Sequence, residues 1–197
     1  MRKFLLGGLI LIGLAIGILA WTTQPPKVPP VADMPPALPE LTTMETFTAS
    51  TLLPGTPQDA RAFMQDKTIL VFLQAGNGIP AVTGFTAIDG DFPDQGATRR
   101  VEIEGGHYVV ERVLNTSATA FQYQVWNYTN FAKLLVSQSV GQFTFEAQGD
   151  QTLMSWTYYM EPTHQLTRPL LANFLETRFG PYMQAGLDRF QTAYMTQ

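Results

Sequence analysis

The pattern of hydrophobic and polar positions is clearest in the second half of the chain, where residues alternate with the period of a β-strand. Five such stretches occur: residues 97–104, 107–114, 120–128, 133–147 and 152–161. Glycine, asparagine and aspartate residues of the kind found in turns separate four of them. An earlier stretch, residues 44–53, alternates in the same way. The pattern predicts an antiparallel sheet of consecutive hairpins.

The hydrophobic period changes after Pro162. Apolar residues then recur every three or four positions, which predicts one long amphipathic helix; they are Leu171, Phe174, Leu175, Phe179, Tyr182, Met183, Leu187, Phe190 and Tyr194. Thr167 is the predicted N-cap, with Pro169 in the first turn. Pro181 removes a backbone donor and crowds the preceding turn, so a kink or break is expected there.

A second, shorter helix is predicted after Thr56, which is a suitable N-cap because Pro57 follows it at the first helical position. Residues 67–95 mix an apolar run with many glycines, prolines and aspartates. We expect this segment to be irregular, with loops that can gate an opening. Together the elements predict an α+β fold, in which a curved antiparallel sheet packs against a long C-terminal helix.

The N-terminal segment, residues 1–21, combines two cations with an uninterrupted apolar run from Phe4 to Trp21. Eighteen apolar residues are at the short end of what spans a bilayer. Arg2 and Lys3 favour the cytoplasmic side, so the sequence predicts a membrane anchor with the domain outside the cytoplasm, on the periplasmic side of a bacterial inner membrane. The alternative is a signal peptide that is cleaved, which gives a secreted protein.

Residues 22–43 contain three Pro-Pro pairs and have no strand or helix pattern. Such a stretch adopts extended polyproline conformations, so it is predicted to be a semi-rigid spacer. This leaves residues 44–197 as the ligand-binding domain.

Composition excludes several classes of function. The chain has no cysteine, a net charge of -4 and no cluster of basic residues, so disulfides, thiolate chemistry and nucleic-acid binding are not expected. His107 and His164 have no metal-ligand spacing around them, and no nucleophile elbow or phosphate-binding loop is present. We therefore predict no metal site and no cofactor.

Arg99 is the most unusual charge in the predicted sheet. Side chains of a strand alternate between its faces, so Arg99 shares one face with Val101 and Ile103, while Arg100 and Glu102 share the other, polar face. A charge on the apolar face needs a partner, because an unpaired buried charge costs several kcal/mol. On the next strand, parity alone does not decide whether Glu111 faces the same way.

The order of elements and several short motifs resemble the START-like, Bet v 1-like superfamily, in particular its polyketide cyclase/dehydrase and lipid-transport branch. The resemblance covers Met44 to Tyr194. Its matching positions are Gly96, Arg99, Val101, Gly106 and Glu111, and more weakly Gly141, Phe143, Thr152, Trp156 and Pro162. It implies a helix-grip fold in which Arg99 and Glu111 point into a cavity, either as a polar handle for a ligand or as a structural ion pair.

We expect a non-catalytic protein that binds a hydrophobic small molecule or lipid. The predicted ligand-binding residues are Arg99, Val101, Glu111, Tyr123, Thr157, Phe179 and Met183. A second hypothesis is a cyclase or dehydratase in which Glu111 is the general acid or base and Arg99 stabilises an enolate. A third is an accessory interaction module of a membrane complex, which predicts a filled core and an exposed apolar patch.

Overall fold

The structure, a computed structural model, describes residues 24–29 and 34–196. Its strands are β1 (Glu45–Pro54), β2 (Val82–Asp89), β3 (Thr98–Ile103), β4 (His107–Thr116), β5 (Ala120–Trp126), β6 (Val136–Gln148) and β7 (Gln151–Pro162). Its helices are α1 (Pro57–Lys67), α2 (Arg168–Phe174) and α3 (Gly180–Met195), with a π-helical turn at Leu175–Phe179 between the last two.

All seven strands form one antiparallel sheet in the order β1-β7-β6-β5-β4-β3-β2. The α+β prediction and the six predicted strands are confirmed. The prediction that residues 67–95 are irregular is wrong in part, because β2 lies within them and forms an edge of the sheet. β2 is largely exposed along its length and contains Gly84, so it lacks the alternation of apolar residues by which a strand is recognised.

α1 begins as predicted. Thr56 accepts a hydrogen bond from the Asp59 backbone N–H (3.2 Å), and the Asp59 carboxylate accepts one from the Thr56 backbone N–H (3.3 Å), which is a reciprocal capping box. Phe63 on the buried face meets Phe190 and Tyr194 of α3 edge to face, with ring centroids 5.2 Å apart in each pair. α1 is thereby fixed against the C-terminal helix.

The C-terminal helix runs from Arg168 to Met195 and does not break at Pro181. The π-helical turn just before Gly180 widens the helix there, which accommodates the missing donor of Pro181. Thr167 occupies the predicted N-cap position of α2, and Pro169 lies in the first turn, but the Thr167 side chain makes no capping hydrogen bond. Its hydroxyl donates instead to the backbone oxygen of His164 (2.8 Å) within a 3₁₀ turn.

The outer face of the sheet carries part of the predicted spacer. Gln124 and Gln138 are almost completely buried, and their side-chain amides donate to the backbone oxygens of Pro36 (2.8 Å) and Ala37 (2.9 Å). A small apolar cluster of Tyr108, Val110 and Trp126 forms a separate buried group. Residues 34–40 are therefore bound to the domain.

The predicted membrane anchor, residues 1–21, lies outside the described residues. In residues 24–29 and 34–196, none of the helices has the length and apolar character needed to cross a bilayer.

Candidate ligand-binding site

A cavity of about 110 Å³ lies between the inner face of the sheet and the C-terminal helix. Its wall is mostly apolar. The sheet contributes Val101, Val109, Val125, Trp156, Tyr158 and Met160, and the helix contributes Phe174, Phe179 and Tyr182. Asn130, Phe131 and Ala132, from the segment between β5 and β6, also line it, as do Leu70, Leu73, Ile79 and Pro80 from the segment between α1 and β2. We call this space the apolar chamber.

Arg99 and Glu111 face each other across β3 and β4, whose register pairs the two residues directly. The Nε and Nη2 atoms of Arg99 each lie 2.8 Å from Glu111 Oε2. Both side chains are about 5% exposed. The register thus settles what parity left open: Glu111 lies on the inner face, and it lines the apolar chamber. The charges neutralise one another, which lowers the cost of burying them.

The two residues do not face the same space. Glu111 lines the apolar chamber, whereas Arg99 lines a second chamber of about 160 Å³. The guanidinium carbon of Arg99 lies 3.6 Å from the ring centroid of Phe92, an attractive cation–π distance. Within the described residues, Arg99 Nη1 and Glu111 Oε1 make no hydrogen bond. Each residue of the ion pair therefore keeps one side-chain atom without a hydrogen bond.

Tyrosine and tryptophan side chains supply further polar groups of the apolar chamber, besides Glu111 and Asn130. Trp156 Nε1 donates to Tyr123 Oη (3.2 Å), and the Tyr123 hydroxyl donates to Tyr158 Oη (3.5 Å). Burial raises the pKa of Tyr123, and the negative charge of Glu111 adds to the increase. Burial likewise raises the pKa values of Tyr128 and Tyr158. These phenols remain protonated near neutral pH and can donate hydrogen bonds.

Gly141 explains how the Tyr123 ring fits. A Cβ atom at position 141 would lie 2.3 Å from Tyr123 Cζ, so only glycine allows the ring to lie flat on β6. Gly180 has the same role between helix and sheet, since a Cβ there would lie 2.5 Å from Phe47 Cζ. Phe179, just before Gly180, meets Tyr158 edge to face at 4.9 Å. The π-helical turn therefore positions an aromatic wall of the chamber.

The structure brings together five of the predicted site residues and leaves two outside. Val101, Glu111, Tyr123 and Phe179 line the apolar chamber, and Arg99 and Tyr123 line the second. Thr157 lies on the opposite face of β7, where its hydroxyl is 2.8 Å from that of Thr48. Met183 is fully buried in the core and lines neither chamber.

Sequence reasoning missed Trp156, Tyr158 and Tyr128 as lining residues, and it missed Arg61. Trp156 and Tyr158 flank Thr157 on the same strand, so their side chains point to the face opposite to that of Thr157. Strand parity could therefore have identified these two residues, and not Thr157, as lining the cavity. Arg61 is 5% exposed although it belongs to a short polar helix. It shares a helical face with Met64 and Gln65, three and four positions later, and these three residues line the second chamber.

Within the part of the chain that the structure describes, no group of three or more His, Cys, Asp or Glu side chains has a geometry suited to a metal ion. The polar groups in the lining of the two chambers include an ion pair, a further arginine, tyrosine hydroxyls and the side chains of Gln65, Asp66, Thr68 and Asn130. Such groups orient an organic ligand by hydrogen bonds and charge.

A curved sheet that grips a long C-terminal helix around an apolar chamber defines a helix-grip protein. The family described as polyketide cyclase/dehydrase and lipid transport matches residues 44–194. The chain belongs to this family, as the resemblance of its motifs implied. No curated protein matches the chain by sequence.

Solved structures share the fold at low sequence identity. Ara h 8.0201 is 14% identical with a TM-score of 0.57, and the match covers 77% of this chain and 98% of that one. The aromatase/cyclase Zhui from Streptomyces sp. R1128 is 10% identical with a TM-score of 0.56, covering 77% and 94%. Norcoclaurine synthase from Thalictrum flavum, solved as a point mutant with a transition-state analogue, is 16% identical with a TM-score of 0.54, covering 78% and 95%. These likenesses establish the fold alone.

Proposed function

We propose that this protein binds a hydrophobic small molecule or lipid in the chamber between its sheet and its C-terminal helix, without acting on it chemically. The apolar lining of that chamber is the observation that carries the proposal: aliphatic and aromatic side chains surround a space with few polar groups. Burial of an apolar ligand there contributes roughly 25 cal/mol per Å² of apolar surface removed from water. Family membership supports the same class of ligand.

The size of the chamber limits what it holds in this conformation. About 110 Å³ is less than the roughly 150 Å³ of an engineered cavity that takes up benzene, and well below the roughly 300–1,000 Å³ of sites for drug-sized molecules. A larger ligand therefore requires movement of a wall. Phe131 is 43% exposed and belongs to a short 3₁₀ turn, so it is the wall residue we expect to move.

The proposed location is outside the cytoplasm, with the N-terminal segment as a membrane anchor. The support is the apolar run from Phe4 to Trp21 with its two preceding cations. A protein placed in this way would meet lipids and other apolar molecules of the envelope directly.

Mass spectrometry tests the proposal. The full-length chain is purified natively, and bound molecules are identified by comparing native spectra before and after organic extraction. We expect a bound apolar molecule, and we expect Val125→Phe, which fills the chamber from the sheet, to reduce its occupancy at least five-fold. An empty wild-type protein that also fails to take up 1-decanol contradicts the proposal.

Catalysis is a second candidate, favoured by one observation: Glu111 lines the apolar chamber and its Oε1 atom is not used by the ion pair, so this carboxylate oxygen could remove a proton from a bound ligand. Glu111→Gln keeps the shape of the side chain and removes the base. If the protein is an enzyme, this variant binds its ligand and fails to convert it, as monitored by mass spectrometry of the ligand. Equal conversion by both proteins excludes this role of Glu111.

A further inference from the structure

The second chamber differs chemically from the apolar chamber that it adjoins. Leu70 and Tyr123 line both spaces, so the two chambers meet at these side chains. The second chamber also has two arginines in its lining, Arg61 from α1 and Arg99 from β3. Phe92 and Phe121 cover these guanidinium groups, at 3.6 Å from Arg99 and 5.1 Å from Arg61.

Arg61 is an unusual residue to bury. It is 5% exposed, and its Nε atom is buried without a hydrogen-bond partner among the described residues. Its one described hydrogen bond runs from Nη2 to the neutral hydroxyl of Thr116 (2.9 Å). Burial lowers the pKa of the Arg61 guanidinium, but an arginine remains cationic in proteins. A buried donor and a buried charge are thus both uncompensated.

The neighbouring charges do not balance Arg61. Arg99 is neutralised by Glu111, with which it makes a two-donor ion pair. Asp66 is the one carboxylate in the lining of the second chamber, but its side chain is 69% exposed and lies 2.9 Å from the Lys67 ammonium. The enclosed part of the site therefore has one positive charge in excess.

We propose that the second chamber binds the carboxylate of an amphiphilic ligand whose apolar part occupies the adjoining chamber. The inference rests on the proposed binding function and adds to it the chemical class of the ligand, a monoanionic amphiphile. The planar guanidinium of Arg61 suits a carboxylate because its donors lie in a fork that matches two oxygens. Arg99 also lines this space, and its Nη1 atom, which the ion pair leaves free, is a further donor for the carboxylate.

Binding of matched probes tests the proposal. Decanoate, 1-decanol and decyltrimethylammonium have the same chain and differ in the charge of the head group. Their dissociation constants for the full-length wild-type protein are measured at pH 8, below their critical micelle concentrations, by isothermal titration calorimetry. We expect decanoate to bind at least ten-fold more tightly than decanol, and decyltrimethylammonium to bind more weakly than either.

Arg61→Met removes the charge and keeps a long apolar side chain. We expect this variant to lose at least ten-fold in affinity for decanoate and less than two-fold for decanol. The matched control is Arg100→Met, which removes an equal charge from the outer face of the adjacent sheet, where Arg100 Nη2 is bonded to Glu102 (3.1 Å). The control is expected to change both affinities by less than two-fold.

Folding of the variants is checked by urea unfolding without ligand. Arg61→Met is expected to be at least as stable as wild type, because it removes a buried charge that has no counter-ion. Should it fail to fold, Arg61→Lys replaces it, and this variant is expected to lose part of the preference for decanoate because a lysine offers no planar fork.

The two proposals fail in different ways. If decanol binds as tightly as decanoate, or if Arg61→Met weakens both equally, the carboxylate site is overturned and the apolar binding function stands. If none of the three probes binds, the proposed function itself fails.

Discussion

The two chambers lie in the same protein interior, and Leu70 and Tyr123 line both. They nevertheless differ in the charge of the side chains that line them. The apolar chamber receives valines, aromatic rings and the neutralised carboxylate of Glu111. The second chamber receives two guanidinium groups, of which Arg99 alone has a carboxylate partner. One ion pair, set across two neighbouring strands, therefore separates a space suited to apolar groups from a space suited to an anion.

The comparison shows that burial alone does not define a binding site. What matters is which buried polar groups already have a hydrogen-bond partner or a counter-ion. Tyr123, Trp156 and Tyr158 are linked by side-chain hydrogen bonds, so few polar groups of the apolar chamber lack a partner. Arg61 has no carboxylate partner, and its buried Nε makes no hydrogen bond among the described residues, so the second chamber contains a positive charge that an anionic ligand can balance. Buried polar groups without a partner are rare in native structures.

The largest effect on stability is expected from breaking the ion pair between Arg99 and Glu111. Arg99→Met leaves Glu111 as an uncompensated buried charge, so the free energy of unfolding should fall by about 3–5 kcal/mol. The double variant Arg99→Met/Glu111→Met should recover most of this loss, because neither charge then remains buried alone. Urea unfolding measures both changes. A loss below about 1 kcal/mol in the single variant would show that the pair is not buried as described.

The next largest effect is expected at Gly141. Gly141→Ala forces the ring of Tyr123 away from β6, since the added Cβ would lie 2.3 Å from Cζ. Overpacking of this kind costs about 1–3 kcal/mol, and the displaced ring should narrow both chambers and weaken decanol binding. Gly76→Ala is the control, because a Cβ there meets nothing within 4 Å. Equal stability of the two variants would contradict the predicted position of Tyr123.

A smaller loss of stability is expected at alkaline pH. The folded protein holds the protons of Tyr123, Tyr128 and Tyr158 more tightly than the unfolded chain does, because burial raises their pKa values. Their contribution to stability is complete below the unfolded pKa of about 10 and is lost as pH rises towards the folded values. Above about pH 10 the free energy of unfolding should fall by up to ~1.4 kcal/mol per pH unit for each tyrosine. Tyr158→Phe should make the decline less steep, and an unchanged slope would contradict burial of that phenol.

The smallest effect is expected on the outer face of β7. Thr157→Val removes the hydrogen bond to Thr48 but touches neither chamber. It should change the free energy of unfolding by less than about 0.5 kcal/mol and leave the affinities for decanol and decanoate within two-fold of wild type. A larger loss of affinity would restore Thr157 to the ligand-binding residues and place the cavity elsewhere.

Much of the fold could be predicted from the sequence because six strands turn one apolar face toward the core, which imposes the alternation that reveals them. The edge strand β2 was missed for the converse reason: it is mostly exposed, so its residues are under no such constraint. The expected break at Pro181 did not occur, because a π-helical turn absorbs the proline locally. Such a turn has no sequence signature comparable to a cap.

The candidate site could be predicted only where strand parity applies. Parity placed Arg99 on the inner face, but the position of Glu111 followed from the register of β3 and β4, which is a property of the assembled sheet. Arg61 could not be recognised from its own short helix, where an arginine usually faces solvent. Its burial depends on α1 packing against α3 and on Phe121 beside it, contacts between residues far apart in sequence.

The most direct test of the account is methyl NMR of the full-length chain, labelled at valine, during titration with 1-decanol. The account predicts chemical-shift changes at Val101, Val109 and Val125, which line the apolar chamber, and none at Val110, which belongs to the cluster on the outer face. Changes confined to Val110, or no changes at saturating decanol, would contradict the claim that this protein holds its ligand between sheet and helix.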